Sequence, residues 1–200
     1  MNKRLIIVGA GGHGRVASDI ASLVGYSDIC YLDDSDILGM NVIGKVSDFV
    51  KYVREADFFV AIGNNKTRER LYNEMKSSGT DIVSLVHPAA VIAPSVKIGS
   101  GSIIMAGAVV NNGALLGTGV IVNTCSSVDH DCIIEDFSHI SVGAHLAGTV
   151  SIGKRAFICA GATVINNVSV CDDSVIGAGA VVISNINERG TYVGVPARKL

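Results

Sequence analysis

The chain contains 200 residues, enough for one large domain or two small ones, with 48% hydrophobic residues, 17% charged residues and a formal net charge of -2. It has no basic run suited to a nucleic acid or an anionic membrane surface, and no apolar run near the ~20 residues of a membrane span. The first apolar run is too short for a signal peptide, and five cysteines without a CxxC pair are typical of reduced thiols, so we expect a cytoplasmic protein.

Residues 1–87 alternate between the periodicities of strands and helices. In chain order the patterns predict a strand at 4–9, a helix at 14–25, a strand at 29–34, a short helix at 49–56, a strand at 57–63, a helix at 67–79 and a strand at 81–87. We expect Val16, Ile20 and Leu23 on the buried face of the first helix, and Thr67 as the N-cap of the last. The alternation indicates a small parallel, Rossmann-like α/β domain.

A six-residue period replaces the helical spacing after Pro88. Every sixth residue from Ile92 to Val182 is Ile, Leu or Val, sixteen positions in succession. The residue four places further on is small in nearly every hexapeptide, as at Ser102 and Ala108. This is the hexapeptide repeat of a parallel β-helix, whose aliphatic residue fills the axis while the small one fits near a corner. Residues 88–200 are therefore predicted to form an all-β solenoid of about five coils with a C-terminal tail.

The stretch SSVDHDCIIEDFSHISVGAH, residues 126–145, holds three of the five histidines. His130 and His139 are nine residues apart, half of one coil, so we expect them on different sides of one solenoid. Around a threefold axis, the His130 edge of one subunit can face the His139 edge of its neighbour and form a site between them. Asp129 and Asp131 flank His130 and can raise the basicity of its imidazole. The alternative is that these histidines are ordinary polar residues on the wall.

The segment VGAGGHG follows the first strand and opens the first helix. Gly9, Gly11 and Gly14 fit G-x-G-x-x-G, and Asp33 and Asp34 end the next strand. Such glycines let the backbone approach a phosphate at a helix N-terminus, and an acidic side chain reaches a ribose hydroxyl. A dinucleotide needs a second half-domain, so a single nucleotide or a nucleotide-sugar fits better. The segment AIGNN at 61–65 ends the third strand, where either a ligand crevice or simple turn chemistry accounts for its asparagines.

The chain resembles the sialic acid O-acetyltransferase/NeuD-like family of sugar acyltransferases. The resemblance covers nearly the whole chain and rests on GAGGHG, YLDD, AIGNN, LVHPAA, VNTCSSVDHDC, FSHISVGAHLAG and YVGVPAR. The chain is most similar to the acetyl-CoA-dependent enzymes that N-acetylate UDP-4-amino-4,6-dideoxy sugars in bacillosamine-type synthesis. The resemblance implies a left-handed β-helix, against the usual right-handed crossover rule, and a homotrimer.

The same resemblance implies a role for each site residue. His130 is the general base that takes a proton from the acceptor amine, and Asp131, or alternatively Asp129, increases its basicity. The residues implied to contact acetyl-CoA, the co-substrate, are His139, Asn123 and the backbone near Ala160 and Ala178. Those implied to bind the UDP-sugar are Gly11, Gly12, His13, Asp33, Asp34 and Gly63. No nucleophilic side chain and no metal is required, because coenzyme A already supplies an activated acyl group.

Three other functions remain open at the level of sequence. An O-acetyltransferase would use the same base on a sugar hydroxyl, as with sialic acid. A non-catalytic sugar-nucleotide-binding protein would have no need of an intact His130 with flanking acids. A zinc site built from the histidines has a precedent in trimeric β-helix carbonic anhydrase, and would need three protein ligands with one open position.

Overall fold

The computed structural model describes residues 4–35 and 39–200. The chain divides into two compact units, Met1–Pro88 and Ala89–Leu200. Within the two described ranges, no helix is both long and apolar enough to cross a membrane.

The first unit is built on a four-stranded parallel sheet. Its strands are β1 (Arg4–Val8), β2 (Asp28–Leu32), β3 (Val42–Gly44) and β4 (Asp57–Val60), in the spatial order β3-β2-β1-β4. Its helices are α1 (Gly12–Leu23), a 3₁₀ helix (Val46–Tyr52) and α2 (Asn65–Ser77), and the unit ends with the two-residue strand Leu85–Val86. The central strand β1 is flanked on both sides and reads as a continuous apolar run, Leu5 to Val8, which is fully buried.

Helix α1 buries a different face from the one its large side chains predict. Gly14, Ala17 and Ile20 are buried with Ala21, whereas Val16 and Leu23 are 39% and 58% exposed. The prediction of Val16 and Leu23 as buried was wrong. Small residues face the sheet because α1 lies close to it: a Cβ on Gly14 would fall 2.0 Å from the carbonyl oxygen of Gly9.

Helix α2 and the segments around it also depart from the sequence prediction. The N-cap of α2 is Asn64, whose side-chain oxygen accepts a hydrogen bond from the Thr67 backbone nitrogen at 3.0 Å, so Thr67 is not the cap. The segment 81–87 is not one strand, because Ile82 forms an isolated bridge to Phe58 and regular pairing resumes only at Leu85–Val86. Strand β3 was not predicted, because three half-buried residues carry no readable period.

The second unit is a parallel β-solenoid of about six turns whose coil is left-handed, as the resemblance implied. Each side of a coil is a two-residue strand, and the strands from Val91–Ile92 to Thr163–Val164 pair in register with the strand eighteen residues further on, as Ile121 does with His139. The strands are Val91–Ile92, Lys97–Ile98, Ile103–Ile104, Val109–Val110, Leu115–Leu116, Ile121–Val122, Ser127–Val128, Ile133–Ile134, His139–Ile140, His145–Leu146, Ser151–Ile152, Phe157–Ile158, Thr163–Val164, Ser169–Val170, Val175–Ile176 and Val181–Val182.

The aliphatic residues of the six-residue period form the core of this solenoid. Every sixth residue from Ile104 to Val182 is buried, and only Ile92 and Ile98, in the first coil, are half-buried. The small positions, from Ser102 to Ala180, are buried as well. Stacked aliphatic side chains therefore fill the axis, and the small residues let the chain turn at each corner.

Each turn from Gly101 to Gly179 has one residue in the left-handed backbone region. These residues recur at every sixth position, seven of them non-glycine: Cys125, Asp131, Phe137, Thr149, Arg155, Asn167 and Asp173. Glycine occupies the remaining such positions from Gly101 to Gly179. Left-handed conformations are unfavourable for most L-residues, so the buried core and the ladder hydrogen bonds on either side must hold these turns.

The solenoid continues beyond the sixteen hexapeptides. Strand Thr191–Val193 pairs in parallel with Val175–Ile176, and then turns back to pair antiparallel with Arg198–Lys199. This hairpin extends the stack past the five coils counted from the repeat.

Candidate active site

His130 lies in the turn that follows strand Ser127–Val128, between two carboxylates. The Nδ1 atom of His130 is 2.9 Å from Oδ2 of Asp131, which occupies the left-handed position of this turn with φ of 57°. Asp adopts that conformation more readily than most side chains. The turn thus directs the Asp131 carboxylate back onto the neighbouring imidazole.

Asp129 contacts the backbone and not the imidazole. Its Oδ1 atom accepts hydrogen bonds from the His130 backbone nitrogen at 2.7 Å and from Nδ2 of Asn111 at 2.8 Å. The bond from Asn111, followed by that from the His130 amide, lowers the pKa of the Asp129 carboxyl. The two acids therefore differ in role, since Asp129 fastens the turn while Asp131 contacts the ring.

This arrangement raises the pKa of His130 above its usual value. The largest cause is the hydrogen bond to Asp131, and the negative charge of Asp129 adds to it. With Nδ1 bonded to a carboxylate, Nδ1 carries the proton in the neutral ring, and Nε2 is the nitrogen that can accept one. A polarised imidazole with its basic nitrogen unoccupied is the arrangement of a general base.

His139 and Asn123 lie together on another side of the solenoid. Nδ2 of Asn123 donates to Nε2 of His139 over 3.1 Å, and the ring of His139 stacks on Phe157 with centroids 4.8 Å apart. His139 is 9% exposed, and Oδ1 of Asn123 accepts from the Thr124 amide at 2.8 Å. Both side chains predicted to contact acetyl-CoA are thus held in fixed orientations.

One chain does not bring His130 and His139 onto the same sheet. The strand before His130 belongs to the six-stranded sheet of the solenoid, while His139 lies on a strand of a different sheet. The third histidine of this stretch, His145, pairs with Ser127 by a 2.9 Å hydrogen bond on the exposed wall.

Ala160 and Ala178 are exposed at equivalent turn positions, one coil apart. At four turns the amide in this position is bonded to a side chain: Thr118 donates to Asp136, Lys154 to Asp172, Thr124 to Asn123 and His130 to Asp129. Within the described ranges, the amides of Ala160 and Ala178 donate to no side chain or carbonyl. The next residues, Gly161 and Gly179, have no atom within 4 Å of where a Cβ would stand. This edge of the solenoid is smooth and presents donors for an outside acceptor.

The glycines of the first unit fall into two groups. Gly9 and Gly14 are required by packing, because a Cβ on Gly9 would lie 2.8 Å from Cδ1 of Ile62 and one on Gly14 would strike the backbone of Gly9. Gly11 and Gly63 would meet nothing within 4 Å, and Gly12 only the Arg15 guanidinium at 4.0 Å. The backbone conformation of these three is one that other residues also adopt. Their lack of a side chain is therefore not explained by the fold.

The N-terminus of α1 lacks a side-chain cap. Gly11, the N-cap, supplies no side-chain hydrogen bond, and the first turn contains no acidic residue. Nε2 of His13 is buried without a hydrogen-bond partner in the described part of the chain. Burial, followed by the charge of Arg68, lowers the pKa of His13 to about 4, so the imidazole is neutral near pH 7. Unpaired amides and an unpaired imidazole nitrogen at a helix N-terminus are suited to an anionic ligand.

Asp33 and Asp34 are both engaged by backbone amides. The two oxygens of Asp33 accept from Ala10 at 2.8 Å and Ser35 at 2.9 Å, and Oδ1 of Asp34 accepts from Val46 at 3.1 Å. In this structure Asp33 therefore anchors the glycine loop. Each carboxylate oxygen has a second lone pair with which it can still accept from a ligand.

Arg68 is a residue of this region that the sequence reasoning missed. It is only 1% exposed, and its guanidinium donates to the carbonyls of Ile62 at 3.0 Å and Gly63 at 3.2 Å and to Oδ1 of Asn65 at 2.9 Å. Burial lowers its pKa to about 9. Arg68 thus holds the AIGNN turn in place, and no period distinguishes it from the exposed polar residues of α2.

The residues that the zinc interpretation would use are not gathered in one chain. Among the described residues, no three His, Cys, Asp or Glu side chains are grouped as metal ligands.

The fold and these residues define the class of the protein, a hexapeptide-repeat acyltransferase with an N-terminal α/β domain. The family model of the PglD N-terminal domain matches residues 4–75. The acetyltransferase domain of PglB from Neisseria gonorrhoeae FA1090, solved in complex with acetyl coenzyme A, is 40% identical, with 100% of each chain covered and a TM-score of 0.95. The chain therefore belongs to the sugar acetyltransferase family of the bacillosamine type, which confirms the resemblance seen in the sequence.

Two further relatives carry different nucleotides in their names. PerB from Caulobacter crescentus, solved in complex with CoA and GDP-perosamine, is 34% identical with a TM-score of 0.95, covering 100% of this chain and 98% of that one. UDP-N-acetylbacillosamine N-acetyltransferase of Bacillus subtilis (strain 168) is 33% identical over 110 residues, 50% of either protein. The chain spans about half the length of the curated relatives it matches.

Asp131 should control the basicity of His130. Asp131→Asn keeps a side chain that tolerates the left-handed turn but removes the charge, so the pKa of His130 should fall toward the ordinary ~6.5. The measurement is an NMR titration of ring-labelled histidine. Asp172→Asn, which changes a carboxylate bonded to a backbone amide elsewhere in the solenoid, should leave the His130 titration unchanged. An unaltered His130 pKa in Asp131→Asn would contradict the assigned pairing.

Proposed function

We propose that the protein transfers the acetyl group of acetyl-CoA to the 4-amino group of a UDP-linked 4-amino-4,6-dideoxy sugar. The observation that carries the proposal is the His130–Asp131 pair, whose 2.9 Å contact polarises the imidazole and leaves Nε2 as the basic atom. Family membership supports the reaction class, since one relative is an N-acetyltransferase, the PglB domain was solved with acetyl coenzyme A, and PerB was solved with CoA and GDP-perosamine.

The chemistry is a direct transfer between two bound substrates. The amine attacks the thioester carbonyl, His130 Nε2 takes a proton from the amine, and the coenzyme A thiolate leaves and is protonated as the amide forms. The protein needs no covalent intermediate, because the thioester already activates the acetyl group. Asp131 stabilises the imidazolium that forms during the step.

Acetyl-CoA is proposed to bind along the smooth edge at Ala160 and Ala178. Their free amides would donate to the carbonyls of the pantetheine arm, and the adjacent glycines leave room for it. Asn123 and His139, held to each other at 3.1 Å, would flank the acetyl end. Because the amides belong to the backbone, side-chain changes at the two alanines matter only when they fill the edge.

The first unit is proposed to bind the nucleotide-sugar. Its uncapped helix N-terminus and the buried Nε2 of His13 would contact the diphosphate, which approaches over Gly11, Gly12 and Gly63. Asp33 and Asp34 would accept from the nucleoside with the lone pairs that the backbone leaves free. UDP is the proposed nucleotide, and the relative solved with GDP-perosamine makes GDP the alternative to test.

We propose a homotrimer whose sites lie between subunits. Two observations support it: His130 and His139 lie on different sides of one solenoid, and Leu115 and Ile133, paired neighbours on the wall, are 41% and 46% exposed. A cytoplasmic location is also proposed, in line with cysteines that are all unpaired.

Coenzyme A thiol should appear when the protein is mixed with acetyl-CoA and a UDP-4-amino-4,6-dideoxy sugar. His130→Ala should lower kcat by roughly 10²–10⁴, the usual effect of losing a positioned general base, with little change in either KM. The measurement is thiol release across a panel of UDP- and GDP-linked amino sugars and their 4-hydroxy counterparts.

The panel also separates the alternatives. Thiol release with 4-hydroxy sugars alone would indicate O-acetylation in place of N-acetylation. A near-normal kcat in His130→Ala would indicate that this histidine is an ordinary polar residue of the wall. Tight binding of a nucleotide-sugar without turnover would identify a binding protein.

The two groups of glycines should respond differently to an added methyl group. Gly11→Ala should leave the melting temperature nearly unchanged and weaken nucleotide-sugar binding, since its Cβ meets no protein atom. Gly14→Ala should lower the melting temperature clearly, because its Cβ overlaps the Gly9 carbonyl. Calorimetry for stability and titration with UDP-sugar measure the two effects. Normal UDP-sugar affinity in Gly11→Ala would argue against a ligand over this loop.

Subunit mixing tests the shared site. His130→Ala and the double variant Asn123→Ala/His139→Ala should each be impaired at low acetyl-CoA, while mixed trimers should regain about one quarter of intact sites by random assembly. Activity of the co-refolded mixture, beside light scattering for the trimer mass, is the measurement. Activity equal only to the average of the two separate variants would place all three residues in one subunit's site.

A further inference from the structure

Gly148 lies one coil beyond His130, at the equivalent turn position. Gly148 is buried, and its φ lies outside the left-handed range, so its backbone conformation does not call for glycine. A Cβ on Gly148 would stand 2.4 Å from Nε2 of His130, 2.6 Å from Cε1 and 3.0 Å from Cδ2. The three nearest atoms all belong to the imidazole. The His130 ring therefore lies directly over the place where any other residue would put its side chain.

The repeat itself shows that this turn position accepts a side chain. The residue two places after the core aliphatic is glycine only at Gly148 among the sixteen hexapeptides from Ile92 to Val182. The other fifteen are Pro94, Ser100, Ala106, Asn112, Thr118, Thr124, His130, Asp136, Val142, Lys154, Ala160, Asn166, Asp172, Ala178 and Ser184. Alanine thus occurs three times in the same turn, so the solenoid backbone does not exclude a methyl group there.

The imidazole has few other restraints. The His130 side chain is 57% exposed, and among residues 4–35 and 39–200 it makes a single hydrogen bond, from Nδ1 to Asp131. That bond fixes one edge of the ring, while the opposite edge, with Nε2, rests over Gly148. A ring held on one edge alone can still swing about its side-chain torsions, and misplacing a reacting group by about 1 Å can cost 10²-fold in rate.

We propose that Gly148 is a positioning residue, whose missing side chain provides the space in which the His130 imidazole lies with Nδ1 on Asp131 and Nε2 free to act. The proposal rests on the proposed function in that His130 is taken as the base. It adds a specific requirement, which is that the coil beyond the base must carry glycine.

Gly148→Ala is the direct test. The added methyl group should displace the ring and break the bond to Asp131, lowering kcat by roughly 10- to 10²-fold with little change in either KM. The NMR titration of His130 should move toward the ordinary ~6.5, an effect that a merely structural loss would not produce. Asn166→Ala, at the same turn position one coil further on, should change neither kcat nor the His130 titration.

A double-mutant cycle distinguishes a specific clash with the imidazole from a general folding defect. Because the exposed imidazole can swing aside, the melting temperature should fall only slightly in Gly148→Ala, and adding Gly148→Ala to His130→Ala should lower it no further, since the imidazole that meets the methyl group is gone. A clear fall of equal size in both backgrounds would overturn the proposal, as would an unchanged His130 titration in Gly148→Ala. If the parent protein released no thiol with any acceptor, the proposed function would fail, yet the titration and the cycle would still decide the role of Gly148.

Discussion

In-register stacking at eighteen-residue spacing is the constraint on which the functional unit depends. Each two-residue strand pairs with its counterpart one coil on, so a position in one coil always lies beside the same position in the next. A buried aliphatic residue at every sixth place fixes this register, since a slip would move the core residues out of the axis. The residues that surround a turn are then those eighteen positions before and after it in the sequence.

The residues that face one turn from the next coil differ along the solenoid. At two turns a carboxylate from the next coil accepts the exposed amide, Asp136 for Thr118 and Asp172 for Lys154. Within the described ranges no group accepts the amides of Ala160 and Ala178, and one coil beyond His130 the equivalent residue is Gly148, which places no side chain against the imidazole. The residues proposed for acetyl-CoA binding and for catalysis therefore lie at turns that lack a carboxylate from the next coil.

The first unit combines a closely packed helix with loops that are held by hydrogen bonds. Its helix α1 packs closely through Gly14 and Ala17, and its loops are held by two buried or partly buried polar groups, the Asp33 carboxylate on Ala10 and the Arg68 guanidinium on Ile62 and Gly63. These anchors leave other glycines of the loops uncovered. Rigid loops around uncovered backbone are what the close approach of a phosphate requires.

The sequence by itself determined the architecture, because it rests on periods that a linear chain displays. Sixteen aliphatic residues at six-residue spacing define a parallel β-helix whatever lies between them, and the strand–glycine–helix pattern defines the α/β unit. It also identified His130 as a candidate base, since the sequence places a carboxylate on each side of this histidine.

The tertiary structure decided what depends on direction and distance. Asp131 contacts the imidazole and Asp129 contacts the backbone, because the left-handed conformation of Asp131 directs its carboxylate toward the His130 ring. The tertiary structure buried Arg68 and exposed Val16 and Leu23, because the rotation of a helix about its axis follows the closest packing of its small residues and not the size of its large ones. It also placed Gly148 under His130, a contact across a full coil that only the folded chain can make.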